Sequence, residues 1–172
     1  MTTIRRHNLQ RQRAADWRRG LSALAVVVML AAAASCGGEA TGAAAAAEPW
    51  GTNTVMPADF AKELAGTAGP DKPVVVCTAP AFLYRVAHIP GAVLHGPASD
   101  PEGLSSLRAF AQPLPRDTSL VIYCGCCPMR DCPNLRPAYT ALKELGFTKV
   151  RVLVLADSCR ADWIARGYPV EK

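Results

Sequence analysis

The chain has 172 residues, half of them hydrophobic and 19% charged, which is the size of one domain and excludes a fully disordered chain. Its 13 Gly and 14 Pro are spread without period, which excludes collagen-like and coiled-coil architectures. Two values stand out: a formal net charge of +5, and seven Cys.

The charge belongs to one segment. Arg5, Arg6, Arg11, Arg13, Arg18 and Arg19 lie in the first 20 residues, where Asp16 is the only acid; beyond them 13 basic and 13 acidic residues remain. No basic patch with interleaved aromatics survives outside that segment, so nucleic-acid binding is not expected. Residues 21–34 (LSALAVVVMLAAAA) form an apolar run broken only by Ser22. It is short for a membrane-spanning helix, which needs roughly 20 residues. A basic stretch, a short apolar stretch and small residues, in that order, read as a secretory signal. Ala34-Ser35-Cys36-Gly37 is similar to a bacterial lipoprotein processing box, which makes Cys36 the expected lipidation site. Residues 1–35 are thus read as a signal peptide and residues 36–49, rich in Ala and Gly, as a flexible tether. Residues 50–172 are the folded domain. The expected location is the periplasm or cell envelope, with a lipid anchor in a bacterial membrane.

Within the domain, residues 56–64 read as a helix with Pro57 in its first turn. Residues 73–77 (PVVVC) are apolar and β-branched, as in a strand buried on both faces. Residues 92–95 are a second short strand. Residues 101–110 are a helix with Leu104, Leu107 and Phe110 on one face. Residues 119–123 (SLVIY) are a third strand. Residues 134–145 are a helix that Asn134 could cap and Gly146 would end. Residues 150–155 are a fourth strand, and 161–166 a final helix closed by Gly167. This alternation predicts an α/β domain with a mostly parallel central sheet flanked by helices.

In such a sheet, chemistry gathers where strands end and helices begin. Cys77 ends the first predicted strand and Cys124 follows the third. Cys126, Cys127 and Cys132 fill the next loop, and Cys159 follows the last strand. A parallel sheet would bring all six to one rim. A thiol facing a helix N-terminus meets free backbone N–H groups and the positive end of the dipole, which favour the reactive thiolate. Arg130 and Arg136 could add positive charge, and Gly125 permits a tight turn. Cys77, Cys126, Cys127, Cys132 and Cys159 are candidates for disulfides or for modulating Cys124.

The order of several short segments resembles the rhodanese family. His88-Ile89-Pro90-Gly91-Ala92-Val93 is similar to that family's HIPGA segment. Val121-Ile122-Tyr123-Cys124 is similar to the strand leading to its catalytic cysteine. Leu142-Lys143-Glu144-Leu145-Gly146-Phe147 resembles its helix and GF turn. Trp163 with Gly167-Tyr168-Pro169-Val170 resembles its closing segment. The resemblance implies a single rhodanese-like domain with an unusually cysteine-rich loop. It implies sulfurtransfer through a Cys124 persulfide, with Gly125, Cys126, Cys127, Met129 and Arg130 forming the substrate-binding loop. It also implies structural roles for His88 and Trp163, and no metal or cofactor. The expected partners are a small sulfur donor and a thiol acceptor, met by a monomer.

Two other readings stay open. Cys124 and Arg130 have the C-x5-R spacing of cysteine phosphatases and arsenate reductases, although Asp131 would repel an anion there. The dense thiol cluster would also suit a non-catalytic redox or metal-binding module.

Overall fold

A sheet strand buried on both faces has no polar alternation, and residues 120–123 have none. In the computed structural model, which describes residues 48–67 and 69–172, β4 (Leu120–Tyr123) is buried at every position. It lies at the centre of five strands, with β1 (Thr54–Val55) and β3 (Val93–Leu94) at the edges. β2 (Val74–Cys77) and β5 (Val150–Leu153) flank β4, in the order β1-β5-β4-β2-β3, and every pairing is parallel. The signal-peptide reading, Cys36 and most of the tether lie outside the described residues. Among those residues, no helix is long and apolar enough to cross a membrane.

The helices are α1 (Pro57–Gly66), α2 (Ala81–Val86), α3 (Pro101–Ala111), α4 (Leu135–Glu144) and α5 (Cys159–Asp162). Phe60 of α1 packs on Trp163 just beyond α5, and both are fully buried. Trp50 meets Tyr139 of α4 edge-on, with ring centroids 6.0 Å apart. Arg151 of β5 is half-buried and forms a two-pronged ion pair with Glu63 of α1, at 2.9 and 2.7 Å.

The fourth strand stops at Leu153, two residues short of the expected end, because its partner β1 ends at Val55. The last helix begins at Cys159, earlier than expected. Ser158 Oγ accepts the Ala161 N–H, and Asp162 accepts the N–H groups of Asp157 and Ser158, which together cap that end. A tighter turn, Ile164–Arg166, then carries the chain to Gly167. The attachment of the domain begins before residue 50: Glu48 pairs with Arg136 at 2.9 Å.

Candidate active site

The sheet order creates the site. β2 leads to β3 on one side and β4 leads to β5 on the other, so the chain leaves these two neighbours in opposite directions. A crevice opens at such a point beyond the strands' carboxyl ends. Cys77 and Tyr123 are paired at those ends. Cys124 comes next, buried to 3% exposure.

Two sets of thiols meet at Cys124. In front of it lies a cavity of about 710 Å³, whose lining includes Cys77, Tyr123, Cys124, Gly125 and Cys159. The other set is in the loop that follows Cys124. Cys126 Sγ is 3.1 Å from Cys124 Sγ and 3.3 Å from Cys127 Sγ. The sulfurs of Cys124, Cys126 and Cys132 all lie within 4.8 Å of one another. Cys126, Cys127 and Cys132 do not line the cavity. The single rim expected from sequence is therefore divided into a cavity side and a loop side.

The charge is also divided. The Cys132 thiol is held down to about 6, first by a hydrogen bond from Cys124 and then by the backbone N–H groups of Asn134 and Leu135 at the start of α4. Cys124 is pushed far up, first because its proton is shared with Cys132 and then by burial. Of the two thiols, Cys132 is the one favoured to ionise. The helix N-terminus thus serves Cys132 rather than Cys124. Burial raises Cys127 to about 12, with a hydrogen bond to Cys126 adding to it. Burial likewise raises Cys159 to about 11 and raises Cys77.

Asn134 holds this loop in place. It is 3% exposed, and its side chain makes no helix cap. Instead its Oδ1 accepts the Ser99 N–H at 2.9 Å and its Nδ2 donates to Cys124 Sγ at 3.3 Å. Gly125 has φ +76°, and a Cβ there would lie 2.4 Å from Cys159 Cβ. The Cys159 N–H donates to the Gly125 carbonyl at 3.1 Å, closing the two loops together.

The remaining residues singled out from sequence occupy different places. Met129 opens a tight turn (Met129–Asp131), and its N–H is taken by the Leu155 carbonyl at 2.9 Å. Arg130 is 82% exposed and pairs with Asp131 at 3.4 Å. Neither lines the cavity, so neither faces a ligand there. Arg136 is drawn to Glu48 and away from the loop. His88 stacks on Tyr84, with centroids 3.8 Å apart, and its backbone pairs with Glu171. Trp163 donates its indole N–H to the Pro169 carbonyl at 2.7 Å.

The cavity mouth was not foreseen. Phe82 and Val86 of α2 are 61% and 67% exposed. Together with Ile164 and Val170 they line the cavity, leaving Met56 as the only other large exposed hydrophobic side chain among the described residues. The charged side chains of the lining residues are those of Arg160 and Lys172, both positive. The surroundings suit an anion with an apolar body.

No protein-family model matches the sequence, and no curated protein matches it. Solved structures do. The Alr3790 protein from Anabaena sp. is similar at 18% identity with a TM-score of 0.51, over 68% of this chain and 81% of that one. Two further structures of Alr3790 were solved as rhodanese-like domains. One has 22% identity and a TM-score of 0.44, covering 58% of this chain and 99% of that one. The other has 19% identity and a TM-score of 0.45, covering 62% and 87%. The described domain has the rhodanese-like fold, a five-stranded parallel sheet flanked by helices.

Proposed function

We propose that this domain is a sulfurtransferase that carries sulfane sulfur as a persulfide on Cys124. The observation that carries the reading is the position of Cys124. It is the one cysteine that both lines the open cavity and belongs to the close group of loop thiols with Cys126 and Cys132. As Cys124 Sγ attacks the outer sulfur of a donor such as thiosulfate, its proton passes to Cys132. The sulfur–sulfur bond of the donor breaks, sulfite leaves with the electron pair, and Cys124 holds the persulfide. An acceptor thiolate then attacks the outer sulfur and returns Cys124 to its starting state. Arg160 and Lys172 are the cavity's positive groups for an anionic donor. Arg130 in solvent weakens the phosphatase reading, because that chemistry needs the cation beside the nucleophile.

Thiosulfate:cyanide turnover under mild reduction tests this. Wild type should form thiocyanate and Cys124→Ser should not. Turnover that survives Cys124→Ser would remove Cys124 from the role.

One observation favours a second reading. Three thiols within 4.8 Å of one another could supply three ligands to a zinc or iron centre. Such a centre would engage Cys124 and block transfer. Stoichiometric metal in protein purified without added metal would support it.

Export and anchoring through Cys36 belong to the same proposal, with a monomer acting at the cell envelope. The mass of the mature N-terminal peptide tests them. A peptide beginning beyond Cys36 would exclude the anchor.

A further inference from the structure

We propose that the loop reduces the sulfur that Cys124 takes up: Cys126, in contact with the carrier, displaces the outer sulfur as hydrosulfide and leaves a Cys124–Cys126 disulfide. This rests on the sulfur-transfer reading of Cys124.

The geometry distinguishes this loop from one that only carries sulfur. Displacement at sulfur is in line: the attacking thiol approaches opposite the departing atom. The cavity is the open space in front of Cys124, so the outer sulfur of a persulfide extends into it. Cys126 Sγ lies 3.1 Å from Cys124 Sγ, and Cys126 is not part of the cavity lining, so it can approach Cys124 without entering the space the outer sulfur fills. A neighbour held at contact distance reacts as if at a concentration no free acceptor reaches. Cys126 therefore competes with any external acceptor for the persulfide, and prevails where no acceptor is supplied.

The atoms and electrons balance. Cys124 first takes the sulfane sulfur from thiosulfate, sulfite leaves, and the Cys124 proton moves to Cys132. The Cys126 sulfur then bonds to Cys124 Sγ, the bond from Cys124 to the outer sulfur breaks, and the Cys126 proton leaves on hydrosulfide. The outer sulfur is reduced and two thiols are oxidised to one disulfide. Resetting the site needs an external dithiol, which gives up two electrons and two protons and becomes a disulfide itself. Cys126 is exposed, so a dithiol can reach the bridge from solvent.

The test is a single-turnover mixing of fully reduced protein with thiosulfate, without reductant, reading sulfite, sulfide and free thiols. Wild type should release about one sulfide for each sulfite and lose two thiols per chain. Peptide mapping should find the bridge between Cys124 and Cys126. With excess dithiothreitol, sulfide should accumulate over many turnovers. In Cys126→Ser the ratio of sulfide to sulfite should fall at least about tenfold, and cyanide should release the retained sulfur as thiocyanate. Sulfite without sulfide from wild type, or an unchanged ratio in Cys126→Ser, would overturn the inference and leave the sulfurtransfer reading standing. No sulfite from wild type would remove both.

Discussion

Gly125 to Ala is the sharpest small change the site offers. The new methyl carries two penalties. The residue sits at φ +76°, where an L side chain crowds the following carbonyl, at about 1–2 kcal/mol. The methyl also lands 2.4 Å from Cys159 Cβ and 3.1 Å from Cys159 N. Those atoms belong to a capped helix start, and forcing such a contact costs about 1–3 kcal/mol. Gly167 separates the two effects, because it has nearly the same φ, +75°, with nothing within 4 Å of its missing Cβ. Gly167→Ala should lose only the backbone part. Urea unfolding followed by the fluorescence of Trp50 and Trp163 reads both variants. Gly125→Ala should be the less stable by about 1–3 kcal/mol. Adding Cys159→Gly should recover part of that difference, as expected for residues in contact. Sulfur transfer should fall by up to about 100-fold in Gly125→Ala, because the methyl displaces the loop that positions Cys124. Equal losses at Gly125 and Gly167 would refute the close approach of the two loops.

Four further outcomes follow from the same site. Thiolate absorbance should show one group titrating near pH 6, absent in Cys132→Ser, and sulfur transfer should rise through the same pH as Cys132 becomes able to accept the Cys124 proton. Because Cys132 is lowered from 9.0 to about 6, its stabilisation is full above pH 9 and is lost as the pH falls to 6; wild type should gain stability over Cys132→Ser across that range. Asn134→Leu should cost about 0.5–1.5 kcal/mol by urea unfolding, since the hydrogen bond from the Ser99 N–H to the buried Asn134 side chain is lost; a neutral substitution would contradict that role. Benzenethiosulfonate should exceed methanethiosulfonate as a donor by about tenfold or more in kcat/KM, because a phenyl ring buried against Phe82 and Val86 is worth more than 1 kcal/mol. Phe82→Ser should reduce that ratio, and a ratio of one in wild type would contradict the apolar mouth.

Apolar, β-branched residues at 74–77 and 120–123 can be satisfied only by burial on both faces, so the central strands were legible in the sequence. So was the run of cysteines at the strand ends. Three features were not. Thr54–Val55 is too short to show a pattern and becomes a strand only by pairing with β5. Residues 81–86 (AFLYRV) form a helix whose apolar side chains face a cavity mouth, and no periodicity can show that in six residues. Asn134 before a helix reads as a cap, yet tertiary contacts with Ser99 and Cys124 claim its side chain. The placement of the thiolate depended on that same turn. Pro133 and Asn134 bring Cys132, rather than Cys124, to the free amides of α4. Spacing placed Arg130 beside the nucleophile, but the turn at Met129–Asp131 directs it to solvent.

The central claim is that Cys124 is the atom that accepts sulfur. Reduced protein mixed with one equivalent of thiosulfate, quenched rapidly with an alkylating reagent and digested, should yield the Cys124 peptide carrying one extra sulfur atom under the alkyl group. The same sulfur found first on Cys132, Cys126 or Cys159, or found in Cys124→Ser at the wild-type level, would contradict it.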